Sequence, residues 1–392
     1  MKGEIAIVVV GYNRKQSIER LLFSLNQADY ENEKITLIIS IDKSNTNIVE
    51  EYADQFNWIH GEKIVDCHTC NLGLKAHMLS LGKWFEDYDA LVILEDDIVV
   101  SSQFFNYAKA CVYKYKDNPQ IAGISLYSFS VNYQTGLPFI PMHNGQDVYF
   151  MNCAMSWGEV WMKEQWRDFY KWYQKNNDFS PSSEIPFCLF KWSKNSWLKF
   201  HTRYCIETNK YFVFPYISYS TNYGDNGVHH SGYGYDTAQV VIEYGKRPLV
   251  LPKIENDNCV LYDGFFENKA IPKWLGLNAK DVLIDLNGSH IFLTGKQFLL
   301  SSKVYNFRIL KTFGLEYKPI EANILTSVAG FNLFLYDTTV KENNKLTFNN
   351  NKYYSYYYCL SSLPVFFRRV GLINIVSEFV DYLTTSIKNK LR

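Results

Sequence analysis

Residues 4–12, EIAIVVVGY, are a continuous apolar, β-branched run. NRKQSIERLLFSLNQA follows, with Ile18, Leu21, Leu22 and Leu25 at the spacing of one helix face. ITLIISID returns to the strand pattern. The rhythm then repeats: NIVEEYADQF reads as a weaker helix, KIVDC as a strand, NLGLKAHMLSLGKWF as a helix and LVILEDD as a strand. Strands that are apolar throughout are buried on both faces, as in parallel sheets covered by helices, so this part of the chain predicts βαβ units.

In such sheets ligands bind beyond the carboxyl ends of the strands. Those ends carry Gly11-Tyr12-Asn13-Arg14, Asp42, the loop near Asn71 and the triplet Glu95-Asp96-Asp97. Adjacent carboxylates repel one another and resist burial, which suits a solvated strand end or a bound cation. Oxygen donors of this kind are what Mg²⁺ or Mn²⁺ takes, one or two from protein and the rest from water and substrate phosphates. Arg14 and Lys75 near the same edge add positive charge for a nucleotide. No GxGxxG follows the first strand and no P-loop motif occurs, which argues against a dinucleotide fold and a P-loop enzyme.

Charge narrows the partners. Forty basic residues balance forty acidic ones, leaving no electrostatic footprint for nucleic acid. No apolar window approaches a membrane span, and MKGEIAIVVVGYNRK reads as a strand rather than a signal, so a cytoplasmic address is expected. The eight cysteines are scattered, and the pair in DCHTC, Cys67 and Cys70, lacks the second pair a zinc knuckle needs.

The order strand–GYNR–helix, strand–ID, NLGLK and LEDD resembles GT-A fold nucleotide-sugar glycosyltransferases, in which an acidic triplet of the DxD type binds the metal. It is most similar to the N-acetylglucosaminyltransferase I branch and its bacterial polysaccharide-biosynthesis relatives. EDDIVVSSQFFNY resembles that branch's metal strand and following helix, MSWGEVWMKEQW its acceptor-side segment, and FPYISYSTNYGDNGVHHSGYGYD its closing loop. The resemblance covers about residues 4–240. It implies an α/β fold with a Rossmann-like mixed sheet flanked by helices. It further implies an inverting, Mn²⁺- or Mg²⁺-dependent transfer from a UDP-sugar to a saccharide or lipid-linked acceptor in bacterial surface polysaccharide synthesis. Asp97 would be the direct metal ligand, with Asp96 reaching the ribose and Glu95 supporting the site. Tyr12, Asn13, Arg14 and Asp42 would border the uridine, and Asn71 and Lys75 would lie beside the nucleotide. Asp42 also fits a strand-end turn residue.

One departure bears on mechanism. Bacterial relatives show Ser-Trp-Asp before the closing loop with the Asp as base, whereas KNSWLKF places Leu198 there, and leucine takes no proton. Glu159 is the candidate base, expected to open a helix lined by Trp161 and Trp166; Asp225 is the runner-up, followed by Asp236. The glycine-rich TNYGDNGVHHSGYGYD suits a loop that closes over substrate, where His229 and His230 would meet the diphosphate or the metal, or serve no ligand.

Residues 1–245 are thus expected to form the transferase domain and 246–363 an accessory α+β region, with DVLIDL and NLFLYDTT as strands and FNNNKYY among the turns. Over 364–392, Phe366, Val370, Ile373, Val376, Val380, Leu383, Ile387 and Leu391 recur at helical spacing. Its basic excess suits an anionic membrane on the inner face of the plasma membrane; packing on the protein's own core is the alternative. Two other function classes remain open. A nucleotidyltransferase shares the core but wants a glycine-rich, basic first loop, and a non-catalytic sugar-binding or scaffold protein would account for Leu198.

Overall fold

β1 (Ile5–Gly11) alternates its side chains between two cores, one on each face of a large sheet. Ile5, Ile7 and Val9 join Ile18, Leu21, Leu22 and Leu25 of α1 (Lys15–Asn26), while Ala6, Val8 and Val10 face Met78 and Leu81. Burial on both sides explains why the strand shows no polar positions. The computed structural model describes residues 5–180, 182–225, 238–256, 258–291, 295–345 and 350–358, with a few single positions beyond.

The chain continues through β2 (Leu37–Ile41), α2 (Ile48–Gln55), β3 (Lys63–Cys67), α3 (Leu74–Ser80) with a 3₁₀ turn after it, β4 (Ala90–Glu95), β5 (Ile98–Val100), α4 (Phe104–Tyr115) and β6 (Ile121–Ser125). A small hairpin, β7 (Val131–Asn132) and β8 (Leu137–Pro138), precedes β9 (Val148–Met151), β10 (Glu159–Met162) and α5 (Lys163–Lys175). Next come α6 (Cys188–Lys191), α7 (Leu198–Glu207), β11 (Tyr211–Pro215), β12 (Ser220–Asn222) and β13 (Leu261–Tyr262). The nine-stranded sheet has the order β13-β9-β11-β6-β10-β4-β1-β2-β3. β3, β2, β1 and β4 are mutually parallel, and β10 runs antiparallel between β4 and β6. This is the mixed sheet flanked by helices that the sequence led us to expect.

β10 is where the expectation fails. Glu159 opens a strand, and the helix starts only at Lys163. Without β10 the sheet would be split between β4 and β6, and the Val160-Trp161 pair suits a buried pleated surface. Gly158 turns the chain into it at φ +91°, a backbone region that favours glycine, and a Cβ there would meet Leu126 at 3.2 Å.

Past residue 245 the chain first returns to the large sheet, because β13 pairs with β9. It then builds α8 (Ile271–Trp274), β14 (Val282–Asp285), β15 (Phe298–Ser301), β16 (Phe307–Phe313), α9 (Ala322–Leu325), β17 (Leu333–Lys341) and α10 (Asn350–Tyr358). Four of these strands form a separate sheet in the order β14-β15-β17-β16. DVLIDL and NLFLYDTT are strands as read. The polar stretch read as a turn from Asn350 is helical instead, because Tyr353 and Tyr356 pack against the small core of Leu300, Phe313 and Leu333. The amphipathic stretch 364–392 lies outside the described residues apart from isolated positions. No helix among the described residues is long and apolar enough to cross a membrane.

Candidate active site

The parallel register brings the carboxyl ends of β1, β2, β3 and β4 to one edge, with Val10 beside Glu95 and Gly11 beside Ile41. Beyond β4 the chain turns at Asp96-Asp97 into β5. β12 pairs with β5, Asn222 opposite Ile98, and the Tyr223 N–H donates to the Asp97 carbonyl at 2.9 Å. Asp225 therefore reaches the rim of the triplet although it is far away in sequence.

Arg14, at the entry to α1, binds this acidic turn. Its Nε donates to Asp96 Oδ2 at 3.2 Å and its Nη2 to Asp97 Oδ2 at 3.2 Å, with a further Nη2 contact to Asp96 Oδ1. Burial opposes the guanidinium charge, but Asp96 and Asp97 outweigh it and hold the arginine more firmly protonated than usual. Asp96 is 5% exposed, and burial pushes its carboxyl up to about 6 despite Arg14. Glu95 is pushed up to about 8, by burial first and then by Asp97 and Asp96, with Ser156 hydrogen-bonding to it. The triplet is thus not a solvated strand end: burial raises Glu95 and Asp96, and Arg14 supplies one positive charge to Asp96 and Asp97.

The other nucleotide-side candidates divide. Asp42 is buried and accepts the backbone N–H groups of Lys43 and Leu72 at Oδ1 and of Gly73 at Oδ2, at 2.8–2.9 Å. Its carboxylate fixes the loop that starts α3, the turn role weighed from sequence. Asn71 Nδ2 donates to the Lys43 carbonyl at 2.9 Å, closing the same loop. Tyr12 is half-buried and Asn13 exposed at the end of β1. Lys75 Nζ lies 3.2 Å from the Lys194 carbonyl, on the side of α7.

Neither of the two candidate bases among the described residues, Glu159 and Asp225, presents a free carboxylate. Glu159 sits at the same edge, opposite Ile93 and Ser125, but it is fully buried and neither oxygen has a hydrogen-bond partner. Burial, with a smaller push from Glu95, holds it protonated far above the carboxylate range. A sealed neutral acid cannot accept a proton from an acceptor hydroxyl. Asp225 is ion-paired with Arg20 and accepts from Ser17 Oγ at 2.7 Å. Leu198 begins α7. His229, His230 and Asp236 lie outside the described residues.

The buried acid makes its own prediction. A group that stays protonated when folded but ionises when unfolded stabilises the protein at low pH, and that contribution is lost as pH rises above about 4.3. Glu159→Gln should therefore gain stability, on the order of 1–3 kcal/mol at pH 8 and less at pH 5, with turnover within about threefold of wild type. Thermal melts at both pH values and a turnover assay check it; a hundredfold drop in turnover would return the base role to Glu159.

Arg20, Ser17 and Ser156 escaped the sequence reading. Ser17 and Arg20 lie three apart on α1, the spacing of neighbours on one helix face, and only the β5–β12 pairing reveals that Asp225 meets them. The Arg20 guanidinium also lies 3.4 Å from the Tyr223 ring centre.

The turn suits a hard divalent cation. Asp96 and Asp97 offer oxygen donors that share a single guanidinium, and no group of three or more metal-binding side chains gathers among the described residues. Two carboxylates are what a Mg²⁺ or Mn²⁺ site keeps when substrate phosphates complete the shell.

No protein-family model and no curated protein matches the chain. Among solved structures it is similar to S. aureus TarS 1–349 in complex with UDP-GlcNAc, at 15% identity and TM-score 0.39, over 58% of this chain and 60% of that one. It is similar to the mannosyltransferase PcManGT from Pyrobaculum calidifontis in complex with GDP-Man and Mn²⁺, at 12% identity and TM-score 0.34, over 55% and 58%. A third is GalNAc-T7 with UDP, GalNAc and Mn²⁺, at 12% identity and TM-score 0.39, over 54% and 42%. The chain thus spans about 60% or less of each of these structures.

Proposed function

We propose that this chain is a metal-dependent GT-A glycosyltransferase that moves a sugar from a UDP-sugar to a saccharide or lipid-linked acceptor, with inversion, in bacterial surface polysaccharide synthesis. The observation that carries the reading is the Asp96-Asp97 turn at the carboxyl end of β4, with Asp96 buried and Asp97 half-buried, gripped by Arg14. A nucleotide diphosphate bridged by a divalent cation is the ligand whose charge matches that turn. Asp97 would hold the cation and Asp96 would face the ribose. Bound there, the cation would offset the negative charge that develops on the departing diphosphate.

Arg14, which lies on the same two carboxylates, would then be near enough to meet the diphosphate, a role that its forked N–H donors fit. Tyr12 and Asn13 border the nucleoside, and Asp42 and Asn71 act by holding the loop that walls the same side. Of the two candidate bases among the described residues, Asp225 keeps the role, since opening its pair with Arg20 frees a carboxylate at the rim. A peripheral site on the membrane, reached through residues 364–392, suits a lipid-linked acceptor.

UDP release from candidate UDP-sugars, measured with Mn²⁺ and with excess chelator, tests the reading. The account expects release that chelation abolishes. Release unaffected by chelator would remove the metal, and pyrophosphate release from a nucleoside triphosphate and a sugar phosphate would favour the nucleotidyltransferase instead.

A further inference from the structure

α7 leads into β11, which runs parallel to β6, so the helix begins at the ligand-bearing edge. Its first turn has no side-chain cap. Lys199, its second residue, is only 5% exposed, and its ammonium group lies 5.0 Å from the Phe179 ring centre and 5.5 Å from that of Phe200. The Lys75 ammonium lies 5.5 Å from the same Phe200 ring and contacts the Lys194 carbonyl. None of Lys75, Lys194 and Lys199 pairs with a carboxylate among the described residues. Burial, then Lys75 and Lys194, make the Lys199 ammonium easier to deprotonate.

An ammonium on a side chain packed this closely, with no carboxylate partner among the described residues and crowded by two others, is costly unless an anion joins it. Two ring faces repay part of that cost, and the uncapped helix start adds N–H donors of the same sign. The position is informative as well, because β11 lies beyond β10 and β6 from β1 to β4, so α7 starts at the same edge but away from the strands that carry the nucleotide side. We propose that Lys199, with Lys75 and Lys194 at the start of α7, binds an anionic group on the acceptor, a phosphate or a sugar carboxylate. The acceptor is then a negatively charged saccharide. This rests on the transferase reading above and narrows its substrate class.

Binding of three probes to the full chain, saturated with UDP and Mn²⁺, tests it by titration: glucose 1-phosphate, methyl glucuronide and neutral methyl glucoside. One or both anions should bind at least about tenfold tighter than the neutral glycoside, as charge-assisted hydrogen bonds require. Whichever anion wins identifies phosphate or carboxylate. Lys199→Met keeps the apolar stem between the rings and should abolish the preference, whereas Lys199→Arg should keep most of it. Equal binding of all three probes, or an undiminished preference in Lys199→Met, would overturn the inference. So would a parallel loss of UDP affinity in Lys199→Met, which would assign the lysines to the donor diphosphate. Failure of the chain to bind UDP at all, with the anion preference intact, would instead overturn the transferase reading.

Discussion

Asp97→Asn is expected to lower metal-dependent UDP release by about a hundredfold or more, since a bound cation supplies several kcal/mol of charge stabilisation to such a reaction. Asparagine keeps the side-chain shape and one oxygen but loses the charge that, on the proposed function, would hold the metal. The fold should survive, because Asp97 is only half-buried in a turn and Arg14 keeps both of its contacts to Asp96. An unchanged melting temperature with lost Mn²⁺-dependent release is the expected pair of readings. Wild-type release from Asp97→Asn would show that the acidic turn has no part in catalysis.

Arg14→Met should have the second largest effect, and on stability as well as activity. Removing one partner of a buried ion pair costs about 3–5 kcal/mol because the remaining charge is stranded. Arg14's side chain is 25% exposed, so about 2 kcal/mol is the expectation near neutral pH. The sign with pH follows from Asp96, whose folded pKa of about 6 lies above the ordinary carboxylate value. Without Arg14 it rises further, so the variant loses little stability below pH 5, where Asp96 is protonated, and progressively more above pH 6. Mn²⁺ should restore part of the loss at pH 8 by replacing the missing positive charge. Denaturant melts at pH 5 and 8, with and without Mn²⁺, check each element, and a penalty independent of pH would place the effect elsewhere than on Asp96.

The parallel half of the sheet was legible in the sequence because β1, β2 and β4 are almost wholly apolar, while the half-buried edge strand β3 is short and mixed, and α1 between β1 and β2 shows one apolar face. The site edge was legible for a related reason: a polar residue at the end of an all-apolar strand stands out, as Asp42, Arg14 and the acidic triplet do. β10 was not. EVWM is too short to show a period, and it is a strand because it fills the gap between β4 and β6. Misreading it gave Glu159 the wrong environment, since a strand residue there is sealed between neighbours whereas a helix start would face the cleft. Long-range pairing hid the rest. Nothing local to Asp225 marks it as a partner of Arg20, and Lys199 reads as an ordinary helix-surface lysine until Phe179, Phe200 and Lys75 are seen around it. The α10 helix was missed because its asparagines imitate a turn while its tyrosines pack on a core laid down earlier in the chain.

The measurement that bears most directly on the central claim is a calorimetric titration of UDP into the full chain, with and without Mn²⁺, for the wild type and Asp97→Asn. If the acidic turn at the end of β4 holds a metal-bridged nucleotide diphosphate, Mn²⁺ should tighten UDP binding by at least about tenfold, and Asp97→Asn should erase that gain while leaving the weak metal-free binding in place. UDP binding of equal strength with and without Mn²⁺ in the wild type, or no UDP binding under either condition, would contradict it.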